Sequence, residues 1–430
     1  MSAVSILKRL YKNPSVKSVS VYTFTNFFGK AVSFLLLFVF TNPAYISPSE
    51  NGLLSLFSNS MLFLMPFLSM GIIHSTSADF FKMPKNEFRD FFTTGFVMPF
   101  AIMIVSAVIL FYFREKLKLM YGFPYMFAWL IPLITFLTFC GEQLLGLVRN
   151  NNEPNTYFTA NVSKTILELG ISFVLVVFFA WRWQGRIAGI LVSYIFIGGY
   201  GLYYFIKKNF FFGKLRKEFI VSELVYAIPI IALQASIFCM NSSDKFFLSS
   251  FTNDDNQTVG IYSVACVFAS VLFILCTALQ QYVFPKIFLQ LSSNDIDYAI
   301  IGKHFWIYVG IMFAALILLI CFTPLAYHFI NLQYHSALQY LFLLCIGNFL
   351  WAISYFFYSF LLYYKEKKKI LVLSVYCIGI SLVLNYFLIS HYGALGAAVS
   401  TIATYFIVLI LTLFLTKSYW IKLYINISKK

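Results

Sequence analysis

Ionisable residues stand within or at the ends of long apolar runs, among them Lys30, Glu142, Arg149, Lys164, Glu168, Asp244 and Lys245. A charge in hydrocarbon costs about 2.5–3.5 kcal/mol at the centre of a spanning helix unless it is paired or hydrated, so these residues point to a pathway. The cations suit anionic groups of a ligand. The carboxylates Glu168, nearest the middle of a run, Glu142 and Asp244 suit the exchange of a proton or a sodium ion. Thr23, Asn26, Lys30 and Ser33 recur at three- and four-residue steps and make one polar helical stripe with Lys30 near its middle. Thr135, Thr138 and Glu142 make a second, with Arg149 two turns beyond. Asn161, Lys164, Thr165, Glu168 and Ser172 make a third, in which Lys164 and Glu168 are four apart and can neutralise one another. Lys30 has no such partner in its own run, so it reaches Glu142 or Glu168 on another helix or sits in a wet cavity. Asp244-Lys245 is followed by the apolar Phe246–Phe251, which implies that the helix continues and draws both charges below the surface. The other mid-run polar residues of the second half are uncharged: Gln234, Asn348, Ser374, Cys377, Ser381 and Asn385.

The elements that must position these residues are transmembrane helices. Of 430 residues 60% are hydrophobic and 11% charged, more apolar surface than a soluble core can use. About twelve runs are long enough to span, near 21–41, 52–75, 91–112, 124–147, 157–180, 187–206, 220–241, 258–283, 305–325, 337–362, 370–389 and 394–416. With the N-terminus cytoplasmic, 23 of the 31 Lys and Arg fall on the cytoplasmic side, 6 on the other, and Lys30 and Lys164 lie within helices. This bias puts both termini in the cytoplasm and assigns the net charge of +15 to topology and anionic lipid, with no nucleic-acid partner. Arg114, Lys116 and Lys118 run against the bias. The first run is too long for a signal-peptide core and is expected to stay as an anchor. The seven cysteines lie in apolar runs without metal-ligand spacing and read as small buried hydrophobes.

The sequence also repeats itself. Gly170-Ile171-Ser172-Phe173-Val174-Leu175 recurs 209 residues on as Gly379-Ile380-Ser381-Leu382-Val383-Leu384, and Gly189-Ile190-Leu191-Val192-Ser193 recurs 207 residues on as Gly396-Ala397-Ala398-Val399-Ser400. The echoes are collinear and imply two copies of a six-helix unit, at residues 1–213 and 214–430, with a transport site where two such halves meet. Pro66, Pro99, Pro132, Pro229 and the stretch Gly198-Gly199-Tyr200-Gly201 mark expected bends. No loop is long enough for a folded soluble domain, and no P-loop, HExxH or GxSxG is present, which argues against ATP-driven pumping by this chain. A membrane-embedded glycan polymerase or ligase would have only His328, His335 and His391 to draw on.

Several segments resemble the Wzx-type polysaccharide or O-antigen flippases, in the superfamily that also holds multidrug exporters and the lipid II flippase. Asp244-Lys245, Val259-Gly260-Ile261-Tyr262-Ser263 and Pro285 resemble that family's acidic-basic pair, its glycine-tyrosine-serine turn and its proline after the eighth helix. Tyr363-Tyr364-Lys365-Glu366-Lys367-Lys368-Lys369, Asn385 and Gly393-Ala394-Leu395-Gly396-Ala397-Ala398 resemble its basic loop and the glycine-alanine start of its last helix. The resemblance implies an all-α integral membrane protein with two pseudo-symmetric six-helix lobes forming a V-shaped central cavity. It further implies a flippase, not an enzyme and without cofactor or metal, that turns undecaprenyl-diphosphate-linked oligosaccharide across the cytoplasmic (inner) membrane by alternating access. Lys30, Arg149, Lys164 and Lys245, with Asn26 beside Lys30, become the candidates for the diphosphate or acidic sugars. Glu168, Glu142 and Asp244 become those for coupling to a proton or sodium ion. Membrane lipids and a polysaccharide polymerase are the further expected partners. A multidrug exporter is the near alternative.

Overall fold

In the computed structural model, which describes residues 14–293 and 296–420, helix follows helix: α1 (Pro14–Phe40), α2 (Pro48–Ser69), α3 (Ile72–Asp79), α4 (Lys85–Tyr112), α5 (Arg114–Tyr121), α6 (Phe127–Asn150), α7 (Pro154–Phe173), α8 (Arg182–Lys207), α9 (Lys217–Phe251), α10 (Gln257–Leu291), α11 (Tyr298–Tyr327), α12 (Leu338–Tyr363) and α13 (Lys367–Leu415). A π turn at Val174–Phe178 ends α7 and a 3-10 turn at Leu332–Ala337 precedes α12. Gly393, at φ 55° and ψ −133°, breaks α13 into two helix-length stretches. Only glycine reaches that backbone conformation without strain. Among the described residues nine helices are long and apolar enough to span a bilayer, ten if the bent α9 is one span. Counting α1 and both parts of α13, the long helices number twelve, at the positions expected from hydropathy. α2 is shorter than expected. It stops at Ser69 because Met70 and Gly71 both take positive φ, and the short α3 sets out afresh from there.

The chain divides into two compact units. Unit 1 holds residues 1–47 and 57–231; unit 2 holds 48–56 and 232–430. The core of unit 1 is aromatic. Phe88, Phe92, Phe96, Phe139 and Phe205 are buried side by side, with Phe92 and Phe96 meeting Phe205 edge-on at 5.0 and 6.0 Å. Such tilted rings add attraction beyond the area they bury. α6 and α8 cross closely through glycine: a Cβ on Gly198 would stand 2.7 Å from Leu137, and one on Gly201 3.1 Å from the Cys140 carbonyl. The glycines therefore act as small-residue contacts of the kind that join helices in lipid, and α8 runs through them unbroken instead of bending there. The linker after α8 is pinned by Asp90, whose carboxylate accepts the Lys214 amide at 2.8 Å and meets the Arg216 guanidinium at 2.7 Å.

In unit 2 the first turns of α2 lie against the start of α10 with no room for side chains. A Cβ on Gly260 would overlap the Pro48 carbonyl, and one on Gly52 the Asn256 carbonyl. Ser49 donates to the Asp255 carbonyl at 2.5 Å and Ser263 to Ser55 at 2.7 Å across the same crossing. The cysteines are free thiols; Cys140, Cys276, Cys345 and Cys377 are buried as expected, whereas Cys321 is exposed on α11.

Candidate functional site

Three of the candidate charged residues of unit 1 are exposed. Lys30 is exposed on α1, and Glu142 and Arg149, seven residues apart on one face of α6, are exposed as well. Among the described residues none of the three has an ion-pair partner within 4 Å. Asn26, the neighbour of Lys30 on the expected stripe, lies outside the described residues. α1 rests on α7, where a Cβ on Gly29 would stand 3.3 Å from the Thr165 hydroxyl. Of the other polar residues on the α6 stripe, Thr135 and Thr138 donate back to the Ile131 and Ile134 carbonyls at 2.7 Å, which leaves Glu142 to face outward alone.

The expected pairing of Lys164 with Glu168 does not form. Glu168 takes the Arg186 guanidinium instead, at 2.9 Å, and the same guanidinium donates to Ser172 at 3.0 Å. The physical reason is the tight crossing of α7 and α8. A Cβ on Gly189 would fall 2.2 Å from the Ser172 hydroxyl and 2.7 Å from the Glu168 carbonyl, so the helices approach until Arg186, in the first turns of α8, lies over Glu168. Arg186 was expected in the preceding loop, and no spacing within one helix could have matched it to Glu168. Lys164, displaced, donates to the Tyr194 hydroxyl at 3.2 Å and lies 4.3 Å from that ring's centroid, a cation–π contact. It remains within electrostatic reach of both Glu168 and Glu142.

Unit 2 keeps its charge inside. α9 does continue past Asp244-Lys245, to Phe251, and both side chains are buried, with 4% and 6% of each residue exposed. The Lys245 ammonium stands 3.7 Å from Asp244 Oδ1 and donates to the Asn241 carbonyl at 3.3 Å, while Asp244 Oδ2 accepts the Tyr262 hydroxyl at 2.7 Å. The polar stripe on α13 closes the network. Ser381 donates to the Cys239 carbonyl at 2.6 Å, Asn385 to Ser243 at 2.9 Å and Ser400 to Asn385 at 2.6 Å, while Tyr405 donates to the Asn241 side chain at 2.5 Å. Each of these residues spends its hydrogen bonds on another. The stripe is thus the glue between α9 and α13.

No protein-family model matches the chain, and no curated protein matches it either. Solved structures do. An inward-facing multidrug-resistance transporter of the MATE family, of the MOP superfamily, superposes with a TM-score of 0.70 over 90% of this chain and 95% of its own, at 13% identity. The lipid II flippase MurJ, in an inward closed conformation, superposes with a TM-score of 0.71 over 95% of this chain and 89% of its own, at 15% identity. A MATE transporter in its straight conformation gives 0.64 over 96% and 98%, at 14% identity. The fold is theirs. What is shared at these identities is the architecture, two lobes of apolar helices, and the chemistry must be argued from this chain's own residues.

One buried carboxylate without a cation beside it escaped the sequence reading. Glu223, on the first stretch of α9, accepts the Ser75 hydroxyl of α3 at 2.9 Å. The signal was present, since Glu223 is an ionisable residue a few positions inside the expected span 220–241.

Proposed function

We propose that this chain is a flippase for undecaprenyl-diphosphate-linked oligosaccharide, working by alternating access of lobes 1–213 and 214–430 in the cytoplasmic membrane, with both termini cytoplasmic. The observation that carries the reading is the uncovered charge of unit 1. Lys30 is exposed within an apolar helix where lipid would not tolerate it, Lys164 is half-buried on α7, against which α1 rests, and Arg149 is exposed in the last turn of α6. Such residues persist where water and an anionic ligand meet them, and a diphosphate is an anion that two or three cations can hold. Lys245 spends its charge on Asp244, so the binding role falls to Lys30, Arg149 and Lys164. Among the expected coupling carboxylates Glu142 is uncovered, whereas Glu168 and Asp244 each face a cation. The likeness of fold to a lipid II flippase supports the same reading.

A multidrug exporter has the same architecture on its side. A cationic cargo would be repelled by the exposed Lys30 and Arg149, which outnumber the exposed Glu142. Proteoliposomes loaded with a fluorescent undecaprenyl-diphosphate oligosaccharide decide between the two. The flippase reading expects the labelled head group to become accessible to a membrane-impermeant quencher only with the protein present, and Lys30→Ala to remove that activity. Transport of a lipophilic cation without movement of the lipid-linked sugar would establish the exporter instead.

A further inference from the structure

Pro229 lies within α9, and a proline has no amide hydrogen for the Val225 carbonyl four residues before it. The helix bends by 42° there, between Val225 and Ala227. The stretch before the bend, which belongs to unit 1, carries Glu223 into the interior with 3% of its surface exposed. Among the described residues no Lys, Arg or His nitrogen lies within ion-pair distance of it, whereas Asp90, Glu153, Glu168, Asp244 and Glu366 each have such a partner. Among the described residues the charged group that acts on Glu223 is Asp79, a like charge one turn beyond Ser75 on α3 and itself 3.4 Å from the exposed Lys82. On α6, which packs against α3, the facing group is the neutral Gln143, 3.4 Å from Thr76.

The Ser75 hydroxyl has one hydrogen and two oxygens in reach, Glu223 Oε2 at 2.9 Å and the Ile72 carbonyl at 3.2 Å. A carboxylate and a carbonyl only accept, so with Glu223 ionised one of the two contacts has no hydrogen. With Glu223 protonated both are made: Ser75 donates to Ile72, and Glu223 donates to Ser75.

We infer that Glu223 is a proton-binding site of unit 1, holding its proton in this conformation and joining α9 to α3 through Ser75. Loss of the proton leaves an unpaired buried carboxylate beside Asp79, which opposes the contact and frees the stretch of α9 before its bend. In a transporter this gives a proton something to drive; the inference rests on the transport reading for that consequence alone, and its test uses no transport.

The experiment is infrared difference spectroscopy of the purified chain in lipid nanodiscs at neutral pH, wild type against Glu223→Gln. The expected result is a protonated-carboxyl carbonyl band in the wild type that shifts in deuterium oxide and is lost in the variant. Should Glu223→Gln fail to fold, Ser75→Ala against wild type reads the same group, and the carbonyl band should change frequency as its hydrogen-bonded neighbour is removed. A thermal-unfolding titration adds a second reading: the wild type should lose stability as pH rises, because the folded state binds a proton that the unfolded state releases, and Glu223→Gln should lose that slope. A carboxylate band in place of the carbonyl band, or a slope unchanged in Glu223→Gln, would overturn the inference while leaving the proposed function untouched.

Discussion

Each unit contains a helical hairpin carrying one copy of the sequence echo, and the two hairpins treat charge oppositely. In unit 1 the hairpin is α7 with α8; in unit 2 it is the two halves of α13. At the offsets of the sequence echoes, Ser172 corresponds to Ser381 and Ser193 to Ser400, and all four are buried. Gly189 and Gly396 both occupy places where a Cβ would strike the first helix of the hairpin. The ion pair is what differs. Glu168 corresponds to Cys377, a buried thiol, and Arg186 to Gly393, the residue that breaks α13. Unit 2 has moved its charge to Asp244 and Lys245 and sealed it there, whereas unit 1 leaves Lys30, Glu142 and Arg149 uncovered. A sealed pair holds helices together, and an uncovered cation can take a ligand.

The comparison breaks most visibly at the sealed pair. Asp244→Asn leaves a buried ammonium without its counter-charge and should cost about 3–5 kcal/mol, the usual penalty for removing one partner of a buried pair. Lys245→Met should cost a similar amount, and the double variant should recover most of it, because the uncompensated charge is gone. Thermal unfolding of the purified protein reads all three. If either single change is silent in stability while export is lost, unit 2 also carries its charge for a ligand and the contrast fails.

The echoed glycines come next. Gly189→Ala places a methyl 2.2 Å from the Ser172 hydroxyl and 2.7 Å from the Glu168 backbone, and overpacking of that kind costs about 1–3 kcal/mol. Gly170 and Gly379, the paired glycines at the start of the other echo, have nothing within 4 Å of a built Cβ. Alanine there should be neutral or, by helix propensity, stabilising by up to about 1 kcal/mol. The two echoes therefore contain two kinds of glycine, which differential scanning calorimetry of the Gly189, Gly170 and Gly379 variants would separate.

Lys30→Ala should change stability by less than about 0.5 kcal/mol, as expected of a residue that touches nothing charged, and yet abolish export; Lys30→Arg should keep part of the activity because the charge persists. Protein level in the membrane and surface glycan, measured together, check this. A loss of protein with normal activity in what remains would make Lys30 structural and remove the contrast from unit 1's side.

How far these contrasts were legible beforehand follows from what each depends on. Helix positions came through because each span needs about twenty apolar residues, and the burial of Asp244-Lys245 came through because Phe246–Phe251 had to extend the same helix. Within-helix periodicity found Glu168 and Lys164 but paired them wrongly. Arg186 reaches Glu168 only because Gly189 lets two helices touch, and the approach of two helices leaves no local periodic signal. The stripe of Ser374, Cys377, Ser381 and Asn385 was visible as a stripe, yet nothing local told that α9 would cover it. Glu223 lies near the start of its span, not at its middle, and its partner Ser75 is 148 residues away, beyond the reach of any local pattern.

The smallest expected effect lies where unit 2 meets solvent. Glu366, between α12 and α13, accepts the Tyr419 hydroxyl at 2.7 Å and the Lys369 ammonium at 3.0 Å, and Tyr419 stacks on Tyr364 at 4.3 Å between ring centroids. The Tyr419 hydrogen bond first, and Lys369 second, hold the Glu366 carboxyl below the usual carboxylate range. The folded state therefore releases this proton more readily than the unfolded chain, so the pair's contribution is fully present above the ordinary glutamate range and fades as pH falls through the depressed value. Glu366→Gln removes the charge, so the stability difference between wild type and variant should be constant near neutral pH and should close on acidification. Tyr419→Phe should shrink that difference without abolishing it, since Lys369 remains. The exposed setting keeps both effects small. A gap that instead widened in acid would mean that Glu366 is strained by its neighbours rather than satisfied by them, and that unit 2 does not neutralise its charge at the exposed end as it does within.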